Sequence, residues 1–289
     1  MIFNISLKVM VQHVRKREID LYLNLLKNAL CYLIWEESES PIGIYGGSRK
    51  FKIFGGQLIV KFLRRFNLKL MRNVKFDRSK RESGQDWPIK AHTMMGLKRL
   101  TNIQLCAQKV IQEKIEGDFI ETGVWRGGGV IFMQGILSVY NQTQMRKVWV
   151  ADSFEGLPQC NQELYPNDSG DWTSMNHSLA ISIDEVKENF MRYDLLGDNV
   201  IFLKGWFKDT LPVAPIEKLA ILRLDGDMYE STMDSLDNLY NKLQPGGFLI
   251  VDDYRIDSCF AAISDFRNKN DINDEILMID DDSAYWRKS

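Results

Sequence analysis

The pattern of apolar and polar positions changes character near Asp118. Beyond it, the short apolar runs DFIETG, KVWVADSF, NVIFLKG, KLAILRLDGD and GFLIVDDY predict strands. Helices are predicted near Gly129–Tyr140, Ser182–Tyr193, Ser231–Leu243 and Cys259–Asn268. Alternation of this kind predicts a mainly parallel sheet covered on both faces, with ligands gathering at the carboxyl ends of its strands. EILMID and AYWRKS predict two closing strands, paired as an antiparallel hairpin.

Upstream, Leu21, Leu25, Leu26, Leu30, Leu33 and Ile34 recur at helical spacing and predict a helix over 18–37. Pro41, Gly43, Gly46, Gly47, Gly55 and Gly56 then predict a loop over 38–56. Residues 57–72 form a basic amphipathic segment, in which Leu58, Ile59, Phe62, Leu63 and Phe66 alternate with Lys61, Arg64, Arg65 and Lys69. Two readings stand for it: a solvated helix packed on the domain, or a face that meets an anionic membrane, an acidic partner or a phosphorylated substrate.

The net charge of −2 conceals an asymmetry: residues 43–82 carry 12 Lys and Arg against 2 Asp and Glu. No nucleic-acid-binding module accompanies these basic residues, which argues against a nucleic-acid partner. The four cysteines, Cys31, Cys106, Cys160 and Cys259, are scattered without a CxxC pair and predict reduced thiols in a cytoplasmic protein. No apolar run is long enough to span a bilayer. At the N-terminus the basic residues follow the short apolar start instead of preceding it, so no export signal is expected.

Candidate chemistry concentrates at predicted strand ends. Asp225 and Asp227 close one apolar run, and Asp252 and Asp253 close the next. A single such acid is most simply a solvated loop residue. Four at matching ends are harder to explain, because unpaired buried charge costs several kcal/mol. If the two strands are neighbours, three or four oxygens converge and suit a hard divalent cation such as Mg²⁺.

After the first strand comes Glu121-Thr122-Gly123-Val124-Trp125-Arg126-Gly127-Gly128-Gly129, which differs from the Gly-x-Gly-x-x-Gly dinucleotide fingerprint. A carboxylate there repels pyrophosphate but engages a cationic amino-acid end, and the glycines let backbone approach a ligand. Asp152 ends the second strand, about 30 residues on, where an acid accepts bonds from ribose hydroxyls. Together these favour S-adenosylmethionine over a dinucleotide. The long polar stretch Glu155–Ser182 has the length of a lid. Its Trp172 and His177 are candidates to line a substrate cavity, although His177 is read first as a surface histidine.

The blocks ESGQDWPIKAHTMMGLKRL, GDFIETGVWRGGGVIFM, VWVADSFEGLP, FLKGWFKDTLP, LAILRLDGDMYESTMDSLDNLY and PGGFLIVDDY resemble the macrocin O-methyltransferase family. Its members are S-adenosylmethionine- and Mg²⁺-dependent sugar O-methyltransferases of macrolide and aminocoumarin antibiotic pathways. The resemblance runs from about Glu82 to the C-terminus and includes YLNLLKNALCYLIW near the start; the basic stretch 43–80 matches least. It implies a class I S-adenosylmethionine-dependent methyltransferase fold, α/β and Rossmann-like, with a seven-stranded, mostly parallel sheet whose last strand runs antiparallel. The catalytic domain would be 83–289, preceded by an N-terminal helical and basic extension, 1–82.

The same resemblance implies metal ligands at Asp225, Asp252 and Asp253, and a general base at Asp227. Cofactor contacts would fall on Thr93, Met94, Glu121, Thr122, Gly123, Arg126, Asp152, Ser153, Gly205 and Trp206. A homo-oligomer is also implied. A sugar hydroxyl is a poor nucleophile, so chelation by Mg²⁺ and a nearby carboxylate would together activate it. The alternative for Asp227 is a capping acid for the following helix. Rival functions are methylation of a catechol-type phenol, methylation of a glycan or glycolipid, and a non-catalytic binding protein; the last expects broken acids, and none is seen.

Overall fold

The computed structural model describes residues 2–41, 62–63, 65–168 and 176–289, with backbone alone for 2–13, 40–41 and 176–177. Helix α1 (Ile2–Leu30) starts well before and ends before the predicted span. Its stop is a turn closed by Leu33 N donating to Asn28 O, with Tyr32 at a positive φ of 57°. The buried stripe is Leu23, Leu26 and Leu30; Leu21, Leu25 and Ile34, also placed on the inner face by spacing, are exposed. Both sides of this helix carry leucine, so periodicity alone did not fix its rotation.

Strands β1 (Glu39–Pro41) and β2 (Met71–Asn73) pair antiparallel, which corrects the helical reading of Met71 and Arg72. Of the predicted basic segment, 57–61 and Arg64 lie outside the described residues, as does Trp172. Helix α2 (Arg78–Ser83) is capped by the Asp77 carboxylate accepting from Lys80 N. Helix α3 (Leu97–Gln112), not anticipated, buries Leu100, Ile103, Cys106, Ala107 and Val110.

The remaining elements follow the predicted alternation. They are β3 (Asp118–Thr122), α4 (Gly128–Val139), β4 (Val148–Asp152), α5 (Asn176–Leu179), α6 (Ile183–Arg192), β5 (Val200–Lys204) and α7 (Phe207–Thr210). Then come β6 (Leu219–Leu224), α8 (Tyr229–Leu239), β7 (Leu243–Val251), α9 (Asp257–Lys269), β8 (Leu277–Met278) and β9 (Ala284–Arg287). The seven-stranded sheet has the order β5-β4-β3-β6-β7-β9-β8. β3 to β7 run parallel, and β9 runs antiparallel between β7 and β8. The tail therefore forms the predicted hairpin.

Alternation along each strand splits the core between the two faces. Phe119, Val150, Ile221 and Ile250 face one cluster, which takes in α3, α4 and the Leu23, Leu26, Leu30, Cys31 and Leu33 of the expected N-terminal extension. Ile120, Trp149, Leu222 and Leu249 face the other, with Leu236, Leu239 and Phe266. Chain direction across the sheet reverses at β3, between β4 and β6, and such a switch point opens a crevice at the carboxyl ends.

Gly123 closes the crevice floor. Its φ is +87°, and a Cβ there would lie 1.7 Å from the Asp225 carbonyl oxygen. Gly123→Ala combines a left-handed backbone with a backbone clash, each worth about 1–3 kcal/mol. Urea unfolding is expected to show a loss of about 2–5 kcal/mol. A loss below about 0.5 kcal/mol, the scale of a neutral surface change, would mean that the β3 and β6 ends separate freely.

Candidate active site

The crevice holds an open cleft at the carboxyl ends of the strands, where ligands of such sheets bind. Met94, Gly123, Asp152, Ser153, Gly205 and Trp206 line it, together with Asp225 and Asp227. Asp152 ends β4, where its Oδ2 accepts from Val124 N and its Oδ1 from Phe154 N, both at 2.7 Å. Burial raises its pKa, and those backbone N–H groups oppose the rise. Met94 is held from below by Arg81, a fully buried member of the basic stretch, whose Nη2 donates to the Met94 and Met95 carbonyls.

Four expected cofactor residues do not reach the cleft wall. Thr93 turns its Oγ1 back to accept from Met95 N, and Thr122 is buried between Arg223 O and Ser235. Arg126 donates to the carbonyls of Ile89 and Ala91 and lies over the Trp125 ring. Glu121 is also buried, packed so closely on α4 that a Cβ at Gly129 would lie 2.3 Å from its Oε1.

What Glu121 meets is Arg223. The β3–β6 register pairs the two residues, and alternation turns both to the face shared with Asp252 at the end of β7. Arg223 is 0% exposed. Its Nη1 donates to Glu121 Oε1 and, at 2.8 Å, to Asp225 Oδ2, while Nη2 donates to Asp252 Oδ1. Asp252 Oδ2 accepts from Arg99 Nη1 at 2.7 Å. Neither arginine was singled out from the sequence, although Arg223 interrupts the apolar run LAILRL and was the visible signal.

β6 and β7 are adjacent, so the acids at their ends do meet. Oxygens of Asp225, Asp252 and Asp253 all lie within 4.8 Å of one another. Asp227 sits beside them at a positive φ of 59°, its N–H directed at Asp253 Oδ2 and its carbonyl accepting from Ser258 Oγ. It does not cap α8. That cap comes from Asp168, a fully buried residue of the long connection, which accepts from Tyr229 N and Glu230 N.

Glu121, Asp225, Asp227, Asp252 and Asp253 outnumber the two guanidinium groups set among them. Burial first, and then neighbouring carboxylates, push the pKa of Asp225 up to about 6 and that of Asp227 up to about 7. Asp253 is pushed well above the ordinary carboxylate range for the same reasons, and burial raises Glu121 to about 8 despite Arg223. So much uncompensated acid cannot ionise together without another cation, and an oxygen-only donor set suits a hard divalent ion.

Comparison with known proteins defines the family and the fold. Residues 19–288 match the family model of macrocin-O-methyltransferase (TylF). The chain is 51% identical over 211 residues to demethyldecarbamoylnovobiocin O-methyltransferase of Streptomyces niveus, covering 72% of this chain and 80% of that one. It is 44% identical over 270 residues to 8-demethyl-8-(2,3-dimethoxy-alpha-L-rhamnosyl)-tetracenomycin-C 4'-O-methyltransferase of Streptomyces olivaceus, covering 93% and 92%. The solved O-methyltransferase NovP superposes with a TM-score of 0.79 at 42% identity, over 94% of this chain and 99% of that one. The fold is that of the class I S-adenosylmethionine-dependent methyltransferases. The chain belongs to the macrocin O-methyltransferase family and is an O-methyltransferase.

The raised acids give a signed pH dependence. From the ordinary value of 3.8 up to about 6 for Asp225 and about 7 for Asp227, the native state binds more protons than the unfolded chain. Stability contributed by these groups is therefore lost as pH rises through that window. In chelator, the melting temperature of the wild type is expected to fall more steeply between about pH 4 and about pH 7 than that of Asp253→Asn. Equal slopes would show that the acids do not repel one another.

Proposed function

We propose that this chain transfers the methyl group of S-adenosylmethionine to a sugar hydroxyl of a glycosylated natural product, assisted by a divalent cation. The observation that carries the reading is the meeting of the cleft with the acid cluster: Asp225 belongs to both, and Asp227, which also lines the cleft, sits beside the cluster. The Streptomyces olivaceus relative, whose name specifies a rhamnosyl-bearing substrate, supports the substrate class.

The donor fits the cleft on two counts. Gly123 and Gly205 line the cleft in backbone conformations that favour glycine, with φ of +87° and +140°, and Asp152 offers carboxylate oxygens where a ribose would lie. Held by Asp225, Asp252 and Asp253, a Mg²⁺ ion would supply Lewis acidity to a hydroxyl and fix its position.

Asp227 then takes the proton as the hydroxyl oxygen attacks the methyl carbon and the bond from that carbon to sulfur breaks. A base poised near neutrality suits this role, and burial together with Asp225 and Asp252 raises Asp227 to about 7. Because Asp168 caps α8, the Asp227 carboxylate is free of that duty.

Asp227→Asn is expected to keep donor affinity within about twofold while turnover falls about 10²–10⁴-fold, read by calorimetry and by a methyl-transfer assay. Unchanged turnover would remove Asp227 from the role. Chelation is expected to abolish turnover, and added Mg²⁺ or Mn²⁺ to restore it. Transfer to catechols that outpaces transfer to glycosides would overturn the substrate class.

A further inference from the structure

Arg99, near the start of α3, has no part in the chemistry above, yet it holds one of the proposed metal ligands. Its side chain is 11% exposed, and its guanidinium meets three carboxylates. Nη1 donates to Asp252 Oδ2 at 2.7 Å, Nε to Asp280 Oδ2 at 2.7 Å, and Nη2 to Asp280 Oδ1 at 3.3 Å. Asp282 Oδ2 lies at 3.4 Å from Nη2.

The turn between β8 and β9 is built as a socket for this group. Asp280 Oδ1 accepts from the N–H groups of Asp282 and Ser283, both at 2.9 Å, which fixes the carboxylate that grips Arg99. The same turn reaches Asp252 directly, through Ser283 Oγ donating to its carbonyl at 2.5 Å. Asp252 is thus held at its backbone by Ser283, at Oδ2 by Arg99 and at Oδ1 by Arg223.

We propose that Arg99 is a positioning residue for the divalent-cation site, fixing the Asp252 carboxylate where its oxygen meets those of Asp225 and Asp253. Left on its own at a strand end, Asp252 would have two free torsions, and ordering them would weaken any ion it bound. A carboxylate oxygen carries two lone pairs, so one oxygen serves an arginine and an ion at once. Arg99 is anchored by Asp280 and does not depend on Asp252 for its place. A competing cation would behave in the opposite way, since its removal would strengthen metal binding. This inference rests on the metal reading given above.

Mn²⁺ binding to the full chain, followed by the paramagnetic resonance of free Mn²⁺ without donor or acceptor, tests it. Arg99→Gln is expected to weaken Mn²⁺ affinity about 10–100-fold, with donor affinity unchanged. Arg99→Lys should recover part of the loss. Asp280→Asn, which touches no proposed ligand, should weaken binding in the same direction by a smaller factor, and decides the matter if Arg99→Gln fails to fold. Unchanged or tighter Mn²⁺ binding in Arg99→Gln or Asp280→Asn overturns the role. A wild type that binds no Mn²⁺, or binds it no better than Asp253→Asn, sinks the metal reading and this inference with it.

Discussion

A guanidinium group buried inside the sheet sets the terms for everything at its carboxyl edge. Arg223 ties Glu121 of β3 and Asp252 after β7 to Asp225 after its own strand, so three strand ends share one positive charge. Breaking such a cluster by removing one partner is costly, because it leaves uncompensated charge away from water. The arrangement therefore fixes the relative heights of β3, β6 and β7 more firmly than apolar packing alone. It also defines the acid cluster, since the remaining carboxylates must stand around what Arg223 leaves unsatisfied.

The same interaction explains why the cleft has two characters. On the β4 and β5 side, backbone N–H groups satisfy Asp152, and Gly205 turns the chain at a φ of +140°. On the β6 and β7 side, carboxylates exceed arginines and raise one another's pKa. The cleft and the acid cluster meet at Asp225, beside Asp227. Methyl transfer to a weakly acidic hydroxyl needs both, one to hold the donor and the other to draw off a proton.

Much of this was legible in the residues themselves. Strand ends that stop at acid marked Asp225, Asp252 and Asp253, and the condition set for them, that their strands be neighbours, is met in the register. Local signals also gave the closing hairpin and the glycine turn after β3. What was missed is non-local. Arg99 and Asp280 lie far apart in sequence, and Arg223 looked like a flaw in an apolar strand until its partners appeared across the sheet. Glu121 was read toward the cationic end of a ligand; the β3–β6 register sets it against Arg223. Helix α1 misled for another reason, as leucines on both its faces satisfy the same periodicity.

The carboxylate of Asp168 carries a consequence for motion. It discharges the positive end of α8 from a connection that begins just after Asp152, and α8 starts two residues beyond Asp227. Lifting that connection off the cleft strips two backbone donors of their acceptor, so the helix frays at its first turn. The connection after Asp152 and the backbone that carries Asp227 are in this way coupled through the first turn of α8, so a displacement of one is felt by the other.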